Sequence, residues 1–551
     1  MKILSMTSFR LLLAFTVINF LFLNAARSQC AGFAHTGGPN NDNAWGITLD
    51  DAANSYSAGY YYGPSLFGNY TANDTGLFLI KYDSIGTFQW VKTFEGTFGG
   101  VFSFLNYSHG AIFLNVTFSG TVTFDNYILT GNAIGNSIAI IKFDLDGNVQ
   151  WARTFSCTNI SYGYGIWNTA AGDPLITGRY RGTLTMGGTT LTGPSSGYGI
   201  YLAKLDADNG SVIWATSSAA QNTYLSRGYV IRTDGSGNIL LSGYYAYILS
   251  FGNQTLDNSA YTSSAPPFVA KFDSNGTALW IRGGTGDIAF FTNAYGLETD
   301  SLNNIYFSSP LSSSGNFSGT TVHPDDGTFI IGKYDASGNL LWLKQFGTHD
   351  SLITCLSFSL HINNNQTLTA YGWGLDKLYF GTDTLTCAGG EDLFSVDLDQ
   401  DGSYLSSFLT GGIYNEGSYD AAYDHQDHAY VAGAFYGDST TLGDFKLTGD
   451  SGTYGNYFVW KNCAAPIGNG VSPVSAINVS VSPNPSHGLF FVKGISDPNT
   501  MIEVYDLEGR NIWNGKANAE AFIDLGAAPG GVYAVKIISG NAITLKKIVI
   551  E

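Results

Sequence analysis

The sequence contains few charged residues and very few basic ones. Only 12% of its 551 residues are charged, and 25 Lys and Arg stand against 43 Asp and Glu, which gives a formal net charge of −18. No run of Lys or Arg offsets this balance, and an acidic surface repels phosphate backbones. The composition therefore argues against nucleic-acid binding.

Several motifs of catalysis and metal binding are also missing. The cysteines form no CxxC pair, so the usual zinc and thioredoxin-like spacings are absent, and GxSxG, HExxH and P-loop motifs do not occur. Beyond one N-terminal stretch, no apolar segment is long enough to span a bilayer. We therefore predict no catalytic residue, no cofactor and no transmembrane segment.

The N-terminus, residues 1–28, is typical of a signal peptide. Lys2 gives a weakly positive start, and the apolar stretch Leu11–Leu23 is shorter than the roughly 20 residues of a membrane span. Ala26-Arg27-Ser28 places small residues where a signal peptidase reads, so we expect cleavage after Ser28. A lipoprotein acylated on Cys30 is the alternative, for which the preceding residues are a poor signal.

The rest of the chain is rich in Gly, Tyr and Phe, and it repeats. A segment made of a strand, a turn and a second strand ending on Trp recurs, with Trp at 90, 151, 214, 280 and 342 and separations of 61, 63, 66 and 62. The apolar run before each turn predicts a strand that is buried on both faces. Asp, Ser, Asn and Gly in the turn supply Asx hydrogen bonds and positive φ.

A second hairpin precedes each of these segments, so one period contains four strands. It is often followed by a hydrophobic-Gly pair, such as Phe67-Gly68 or Phe251-Gly252. Four-stranded units of this size stack around an axis in a β-propeller, where neighbouring units cover each sheet and the Trp can pack between them. We count seven units, which predicts an all-β, seven-bladed propeller with four-stranded blades over residues 29–463.

The seventh unit is short, because it ends at Tyr457–Cys463 after its third strand. Near the start of the mature chain, Gly32–Gly38 resembles Ala278–Gly284, the last strand of another unit. We therefore predict that the N-terminal strand completes the C-terminal blade, which closes the ring and removes two exposed sheet edges.

The closure brings two cysteines together in the alignment. Cys30 and Cys463 fall across the same turn, which predicts a disulfide in an exported protein, with two free thiols as the alternative. Cys355 and Cys387 are expected in loops of one propeller face and form a second candidate pair. Cys157 is expected to be a buried, small apolar residue.

The repeats resemble the bacterial β-propeller family with a Lys-aromatic-Asp…Gly…Trp signature, over residues of about 31–463. The resemblance implies the fold and says little about activity. Unit 6 departs from it, with Val396-Asp397 where other units have Lys-aromatic and with no Trp, and unit 2 has Asn115 where others have Gly.

Two groups of residues qualify as metal ligands by type. Asp397-x-Asp399-x-Asp401-Gly402 resembles the start of a calcium loop, but Phe408 stands where the bidentate Glu should be. The other group is Asp424, His425, Asp427 and His428. Both stretches align with ordinary hairpin turns, so we predict turns and no metal, with calcium as the alternative.

Aromatic residues expected in loops are candidates for stacking on sugars or for packing between blades. They are Tyr162, Tyr164, Trp167, Tyr244, Tyr245 and Trp373.

After a linker at 464–476, residues 477–551 have the alternation and turns of a small Ig-like β-sandwich. They resemble the type A C-terminal sorting domain of the Bacteroidetes type IX secretion system. The resemblance implies Sec export to the periplasm, recognition by the secretion machinery, and delivery to the outer cell surface or the medium. An ordinary Ig-like accessory domain is the alternative. The matching motif positions are Pro483, Asn484, Pro485, Gly488, Gly509, Gly531, Tyr533, Lys546 and Lys547.

Two functions remain open for the propeller. The first is a non-catalytic binding or adhesion module for a glycan or protein, and the second is a polysaccharide lyase or hydrolase with its site in the channel. An enzyme needs charged groups from several blades at one pocket. Because the sequence shows no recurring loop carboxylate or His outside the turns, it favours the binding module.

Overall fold

The computed structural model describes most of the chain after the predicted signal peptide. Cys30, Cys463 and the predicted linker lie outside the described residues. Two compact units are present, Met1–Pro466 and Ile467–Glu551. No helix in the described part of the chain is long and apolar enough to cross a membrane. The described residues are 32–34, 40–99, 104–132, 135–195, 197–219, 226–261, 264–286, 296–348, 355–449, 455–462, 480–495, 500–506, 510–517, 520–526, 528–539 and 542–550.

In the described part of the first compact unit, seven antiparallel sheets each contain four strands that pair side by side in chain order, except that the last sheet takes its fourth strand from the N-terminal segment. We number these sheets as units 1–7 and name their strands inner, second, third and outer. The strands in that order are Asn43–Leu49, Ser55–Tyr62, Thr75–Tyr82 and Phe88–Glu95; Phe104–Ser108, Ala111–Ser119, Ser137–Phe143 and Val149–Thr154; Ile160–Asn168, Pro174–Arg181, Gly199–Leu205 and Val212–Ser217; Arg227–Thr233, Ile239–Tyr244, Pro267–Phe272 and Ala278–Gly286; Leu297–Thr299, Ile305–Pro310, Phe329–Tyr334 and Leu340–Phe346; Cys355–Ile362, Leu368–Gly374, Asp392–Leu398 and Tyr404–Thr410; and Glu416–Tyr423, Ala429–Phe435, Asn456–Asn462 and Gly32–Ala34.

The turns between third and outer strands form as predicted. In unit 4 the carboxylate of Asp273 accepts hydrogen bonds from the backbone N–H groups of Asn275 and Thr277, and Gly276 adopts a φ of 82°. The same arrangement recurs around Asp83, Asp144, Asp335 and Asp399. An Asx-type acceptor followed by a left-handed residue fixes each of these turns.

A further short hairpin lies between the second and third strands of each unit, and the sequence analysis did not predict it. The hydrophobic-Gly pairs form its turn in five units, where the glycines, Gly68, Gly187, Gly252, Gly381 and Gly443, have φ values of 55–60°. These hairpins are Ser65–Phe67 with Tyr70–Ala72, Thr121–Phe124 with Tyr127–Thr130, Thr183–Met186 with Thr189–Thr192, Ile248–Phe251 with Gln254–Asp257, Gly315–Phe317 with Thr320–Val322, Lys377–Phe380 with Asp383–Thr386, and Ser439–Leu442 with Phe445–Thr448. Two two-residue strands, Thr97–Phe98 and Ser156–Cys157, and a 3-10 turn at Pro324–Asp326 complete this part.

The repeated Trp packs against the next unit, as predicted. A Cβ atom on the turn glycine of that unit would lie 2.7–2.9 Å from the indole ring, so no larger residue fits without displacing it. The pairs are Trp90 with Gly147, Trp151 with Gly210, Trp214 with Gly276, Trp280 with Gly338, and Trp342 with Gly402.

The Lys of the signature also links neighbouring units, through a hydrogen bond. Lys271 Nζ donates to the carbonyl oxygen of Ala336 in the next unit at 3.1 Å, and it also lies 2.8 Å from Asp234 Oδ2 in its own unit. Equivalent bonds to the next unit are made by Lys81, Lys142, Lys333 and Lys461.

Unit 6 breaks this pattern. Its pairing register places Asp397 opposite Thr369, as Lys271 stands opposite Leu240 in unit 4, so Asp397 occupies the Lys position and the predicted alignment of Val396-Asp397 is off by one residue. Asp397 accepts hydrogen bonds from Thr369 and Ser406 of its own unit. The contact between units 6 and 7 therefore lacks the Lys found elsewhere.

The sheets close into a ring. Inner strands of consecutive units lie side by side, and the inner strand of unit 7 lies beside that of unit 1. Gly32–Ala34 pairs antiparallel with Asn456–Asn462, which confirms the predicted completion of the last sheet by the N-terminal strand. One hydrophobic cluster joins units 7 and 1 through residues such as Val459 and Ile80. This arrangement is a β-propeller.

Three cysteines of the propeller are free thiols. Cys355 is the first residue of an inner strand and is fully buried, and Cys387 Sγ donates to the carbonyl oxygen of Gly374 at 3.3 Å. No bridge joins them, in contrast to the predicted second disulfide. Burial raises the pKa of both thiols and of Cys157, which is half-buried rather than buried.

The second compact unit has two antiparallel sheets around one core. One sheet contains Ser480–Ser482, Leu489–Lys493 and Glu520–Asp524, and the other contains Asn511–Ala517, Thr500–Tyr505, Gly531–Ser539 and Ala542–Ile550. Their buried apolar residues alternate along the strands and form a single cluster that draws on both sheets.

Candidate functional site

A cavity of about 320 Å³ lies where the seven inner strands meet. It is at the lower end of the size range of ligand pockets. Every inner strand contributes its penultimate residue to the cavity lining. Side chains alternate between the two faces of a strand, so strands that end at the same level present the same position to the cavity. These residues, which we call the polar layer, are Thr48, Tyr107, Trp167, Arg232, Glu298, His361 and Ala422.

The residues of the polar layer differ from one unit to the next. The positions that hold the ring together repeat the same residue types, as the Trp and Lys contacts show, whereas this position holds seven different side chains. The scaffold is therefore close to symmetric and the cavity is not. Such a cavity can present donors, acceptors and rings to a ligand in one fixed orientation.

Aromatic residues form a second level, the aromatic layer, three positions before the polar layer on five of the inner strands. The pairing register of five inner strands shifts at these residues, and a bulge of this kind re-aims a side chain. Trp45 and Tyr419 have ring centroids 4.0 Å apart, and those of Tyr164 and Tyr229 are 4.9 Å apart. Phe358 is the fifth member.

Asp420 is the carboxylate most strongly held at the cavity. Its two oxygens accept hydrogen bonds from the backbone N–H groups of Ile47 and Ala421, so it bridges units 7 and 1. Burial raises the pKa of Asp420 to about 6, although these bonds and the positive charge of Arg232 act in the opposite direction.

Arg232 packs on an aromatic ring. Its guanidinium carbon lies 4.3 Å from the ring centroid of Trp167, and Trp167 Nε1 donates to Thr233 Oγ1 at 3.2 Å. The cation–π contact holds both side chains in place at the polar layer.

His361 is held by two contacts. Its Nε2 lies 3.1 Å from Asp427 Oδ1, and its ring stacks on that of Tyr423 with centroids 3.8 Å apart and an interplanar angle of 7°. Tyr423 in turn lies 3.3 Å from Ser359 through the two hydroxyl oxygens, and burial raises its pKa. A carboxylate that orients an imidazole is an arrangement used in proton transfer as well as in binding.

The predicted metal-type residues lie in turns, apart from Asp397, which is on the third strand of unit 6. Asp399 caps its own turn by accepting hydrogen bonds from the N–H groups of Asp401 and Ser403, whereas Asp397 accepts from Thr369 and Ser406. Asp424 accepts hydrogen bonds from Gln426 and His428 in another turn. In the described part of the chain, no cluster of three or more His, Cys, Asp or Glu can hold a metal ion. Of these residues only Asp427 bears on the cavity, through His361.

The candidate sugar-stacking aromatics lie on strands or directly after one, and not in exposed loops. Tyr164, Tyr244 and Tyr245 are buried, while Tyr162 and Trp373 are half-buried. Only Trp167 among the six lines the cavity.

Sequence reasoning missed Arg232, Glu298, His361 and Asp420. They come from four units, and no short motif connects them. A signal was nevertheless present, because the aligned inner strands share one position at which the residue type never repeats. It follows an apolar residue in every unit except unit 2, as in Ile231-Arg232 and Leu360-His361.

In the second compact unit, the motif residues surround one strand end. Asn484 donates to the carbonyl oxygen of Lys547 at 2.7 Å and accepts from the N–H of Val549 at 2.9 Å. Tyr533 is buried and its hydroxyl donates to the carbonyl oxygen of Pro529 at 2.6 Å.

The other motif residues have less to hold them. Lys546 and Lys547 are exposed, Gly488 has a φ of 93°, and Gly509 lies outside the described residues. Pro483 and Pro485 flank Asn484, and Gly531 begins the strand that carries Tyr533.

The family model of the secretion system C-terminal sorting domain matches residues 480–551. This second unit is a type IX sorting domain. The sorting domain directs the protein to the secretion machinery and so to the cell surface or the medium. The protein is thus an exported β-propeller that carries a sorting domain.

An uncharacterised WD repeat-containing protein of Acanthamoeba polyphaga mimivirus is 28% identical over 313 residues, which are 42% of this chain and 22% of the relative. The chain therefore spans less than a quarter of that relative. Among solved structures, an inactive variant of virginiamycin B lyase from Staphylococcus aureus has a TM-score of 0.39 at 12% identity. The alignment covers 73% of this chain and 96% of the lyase chain. The WD40 domain of Neurospora crassa Pan2 has a TM-score of 0.37 at 8% identity, with 77% and 90% covered.

Proposed function

We propose that the protein is a non-catalytic binding module, a seven-bladed propeller that holds a sugar unit of a surface or extracellular glycan in its central cavity. The proposal is carried by the polar layer, in which seven inner strands each bring a different side chain to one cavity. Aromatic rings next to donors and acceptors are the chemistry that sugars require, since their faces are apolar and their edges carry hydroxyls.

The domain organisation supports this proposal. We propose a signal peptide at 1–28, the propeller at 29–463, a linker at 464–476, and a β-sandwich sorting domain at 477–551. The nine motif positions of the sorting domain would then be its recognition and folding residues. Intact-mass measurement of the secreted protein tests the first boundary, because the mature chain should begin at Gln29.

The experiment for binding uses the secreted protein on a glycan array, followed by calorimetry with the glycan that is bound best. Trp167→Ala and Arg232→Ala should each weaken binding at least tenfold, because they remove a ring and a donor from the polar layer. Tyr70→Ala is the matched control, since Tyr70 is 47% exposed on an outer hairpin. Equal affinity in all four proteins would refute the cavity as the site.

One observation favours a second candidate function, a glycan-cleaving enzyme of the lyase or hydrolase type. Asp420 lines the cavity, and burial raises its pKa to about 6, a value suited to a general acid or base. His361, which also lines the cavity, is oriented by Asp427. If this function is correct, the bound glycan should be cleaved, and Asp420→Asn should abolish cleavage while leaving binding within a few fold. A glycan that binds and stays intact would decide for the binding module.

A further inference from the structure

A cluster of Arg and Tyr lies at the opposite end of the inner strands from the polar layer. Arg227 is the first residue of the inner strand of unit 4, five positions before Arg232. Arg179 and Arg181 end the second strand of unit 3. These residues are three of the nine Arg in a chain with a net charge of −18.

Arg179 is the centre of the cluster. Its guanidinium carbon lies 4.1 Å from the ring centroid of Tyr198 and 4.5 Å from that of Tyr162. Arg179 as a whole is only 9% exposed. The rings fix the plane of the guanidinium and exclude water from its faces. They do not satisfy its N–H groups, which point in the guanidinium plane.

The charge of Arg179 has no acidic counterpart in the described part of the chain. No carboxylate there lies within 4 Å of Arg179 or Arg181, and Arg179 Nε is buried without a hydrogen-bond acceptor. A buried cation without an anion is costly, which makes the position favourable for an incoming anion.

The neighbouring groups extend the positive surface. The ring centroid of Tyr164 lies 6.0 Å from the guanidinium carbon of Arg179 and 5.8 Å from that of Arg227. Arg227 donates to the hydroxyl of Tyr229 at 2.7 Å, and Arg181 donates to Asn159 Oδ1 at 3.2 Å. Both cations are therefore held in place beside Arg179, so the positive charge is preorganised.

We propose that this cluster is a second ligand site, which binds an oxyanion — a carboxylate, sulfate or phosphate group — against the guanidinium of Arg179. A guanidinium with free in-plane N–H groups is matched to such groups, which accept two parallel hydrogen bonds. The site does not depend on the ligand of the central cavity, because Arg179, Arg181 and Arg227 do not line that cavity.

The test is thermal unfolding of the full secreted protein in sulfate, phosphate or galacturonate, each compared with chloride at equal ionic strength. At least one oxyanion should raise the midpoint relative to chloride, with saturation at millimolar concentration, and the three salts identify which group is preferred. Arg179→Gln should remove the rise. Arg282→Gln, which alters an Arg that donates to the carbonyl oxygens of Gly338 and Ile281, should keep it.

Arg179→Met serves as a second variant, because it keeps most of the bulk and removes the charge. In chloride its midpoint should equal or exceed that of the wild type, since an uncompensated buried charge is lost. A clear fall in chloride would assign Arg179 a structural role and overturn the proposal. It would be overturned equally if no oxyanion acts on the wild type, or if Arg179→Gln responds as the wild type does.

Discussion

Replacing Lys271 by Met should be among the most destabilising single substitutions in the ring. Lys271 Nζ lies 2.8 Å from Asp234 Oδ2, and the two side chains are only 5% and 0% exposed. The same Nζ donates to Ala336 of the next unit. Met would therefore leave a buried carboxylate without its cation and would break a contact between units. Loss of one partner of a buried ion pair costs about 3–5 kcal/mol.

The assay is urea unfolding at pH 7 followed by Trp fluorescence, with variants compared at equal slope. Lys204→Met is the matched control, because Lys204 and Asp173 are 3.0 Å apart but about one-fifth exposed, and it should cost about 1 kcal/mol. Adding Asp234→Asn to Lys271→Met should recover part of the loss, since no buried charge then remains. A loss no larger than that of Lys204→Met would refute the reasoning.

The dependence on pH gives an independent check of the same pair. Burial raises the pKa of Asp234, but hydrogen bonds from Lys271 and Asn238 outweigh it and lower the pKa below its usual range. The stability that this carboxylate contributes is present above its unfolded pKa of about 3.9 and is lost as the pH falls through its folded value. Lys271→Met should therefore reduce the loss of stability on acidification.

Three further predictions concern other parts of the molecule. Burial, together with the neighbouring Asp392, raises the pKa of Glu416, so the stability that its neutral carboxyl contributes is complete below its unfolded pKa of about 4.3 and is lost as the pH rises through its folded value. Glu416→Gln should reduce this fall in the thermal unfolding midpoint, and parallel curves for variant and wild type would contradict it. Deleting residues 29–36 should lower the midpoint and cause aggregation in size-exclusion chromatography, because the edge of unit 7 loses its partner, and an unchanged monomer would disprove the closure. Asn484→Ala removes two hydrogen bonds, so it should lower the free energy of unfolding of the sorting domain by about 2 kcal/mol and reduce secretion. Lys546→Ala, at an exposed position, should leave the domain folded. Normal secretion and stability of Asn484→Ala would contradict this prediction.

The sheets and their closure could be predicted because their signals are repeated. A turn such as Asp273–Gly276 occurs in almost every unit, and the Trp that follows it is held by the glycine of the next unit, so one local pattern reports on packing between units. The extra hairpins were missed although each hydrophobic-Gly pair marks a turn, since their strands are only three or four residues long.

The candidate site could not be predicted in the same way. A recurring carboxylate or histidine is the signal that a repeat sequence gives for a shared site, whereas Arg232 and His361 occupy a position at which nothing recurs. Their proximity depends on the ring, which brings together segments more than a hundred residues apart. The setting of Asp420 likewise depends on the ring, because the backbone N–H that its carboxylate accepts from belongs to Ile47, at the far end of the chain.

The pairing of Gly32–Ala34 with Asn456–Asn462 has a consequence for biosynthesis. The first strand to emerge from the translocation pore finds its partner only when more than four hundred further residues have followed, so the circle is completed last. Until then, both rims of the incomplete assembly present bare backbone amides and carbonyls to other chains. A chaperone that shields these rims during passage through the periplasm would shorten the vulnerable interval, and truncated translation products should be the species that accumulate with it.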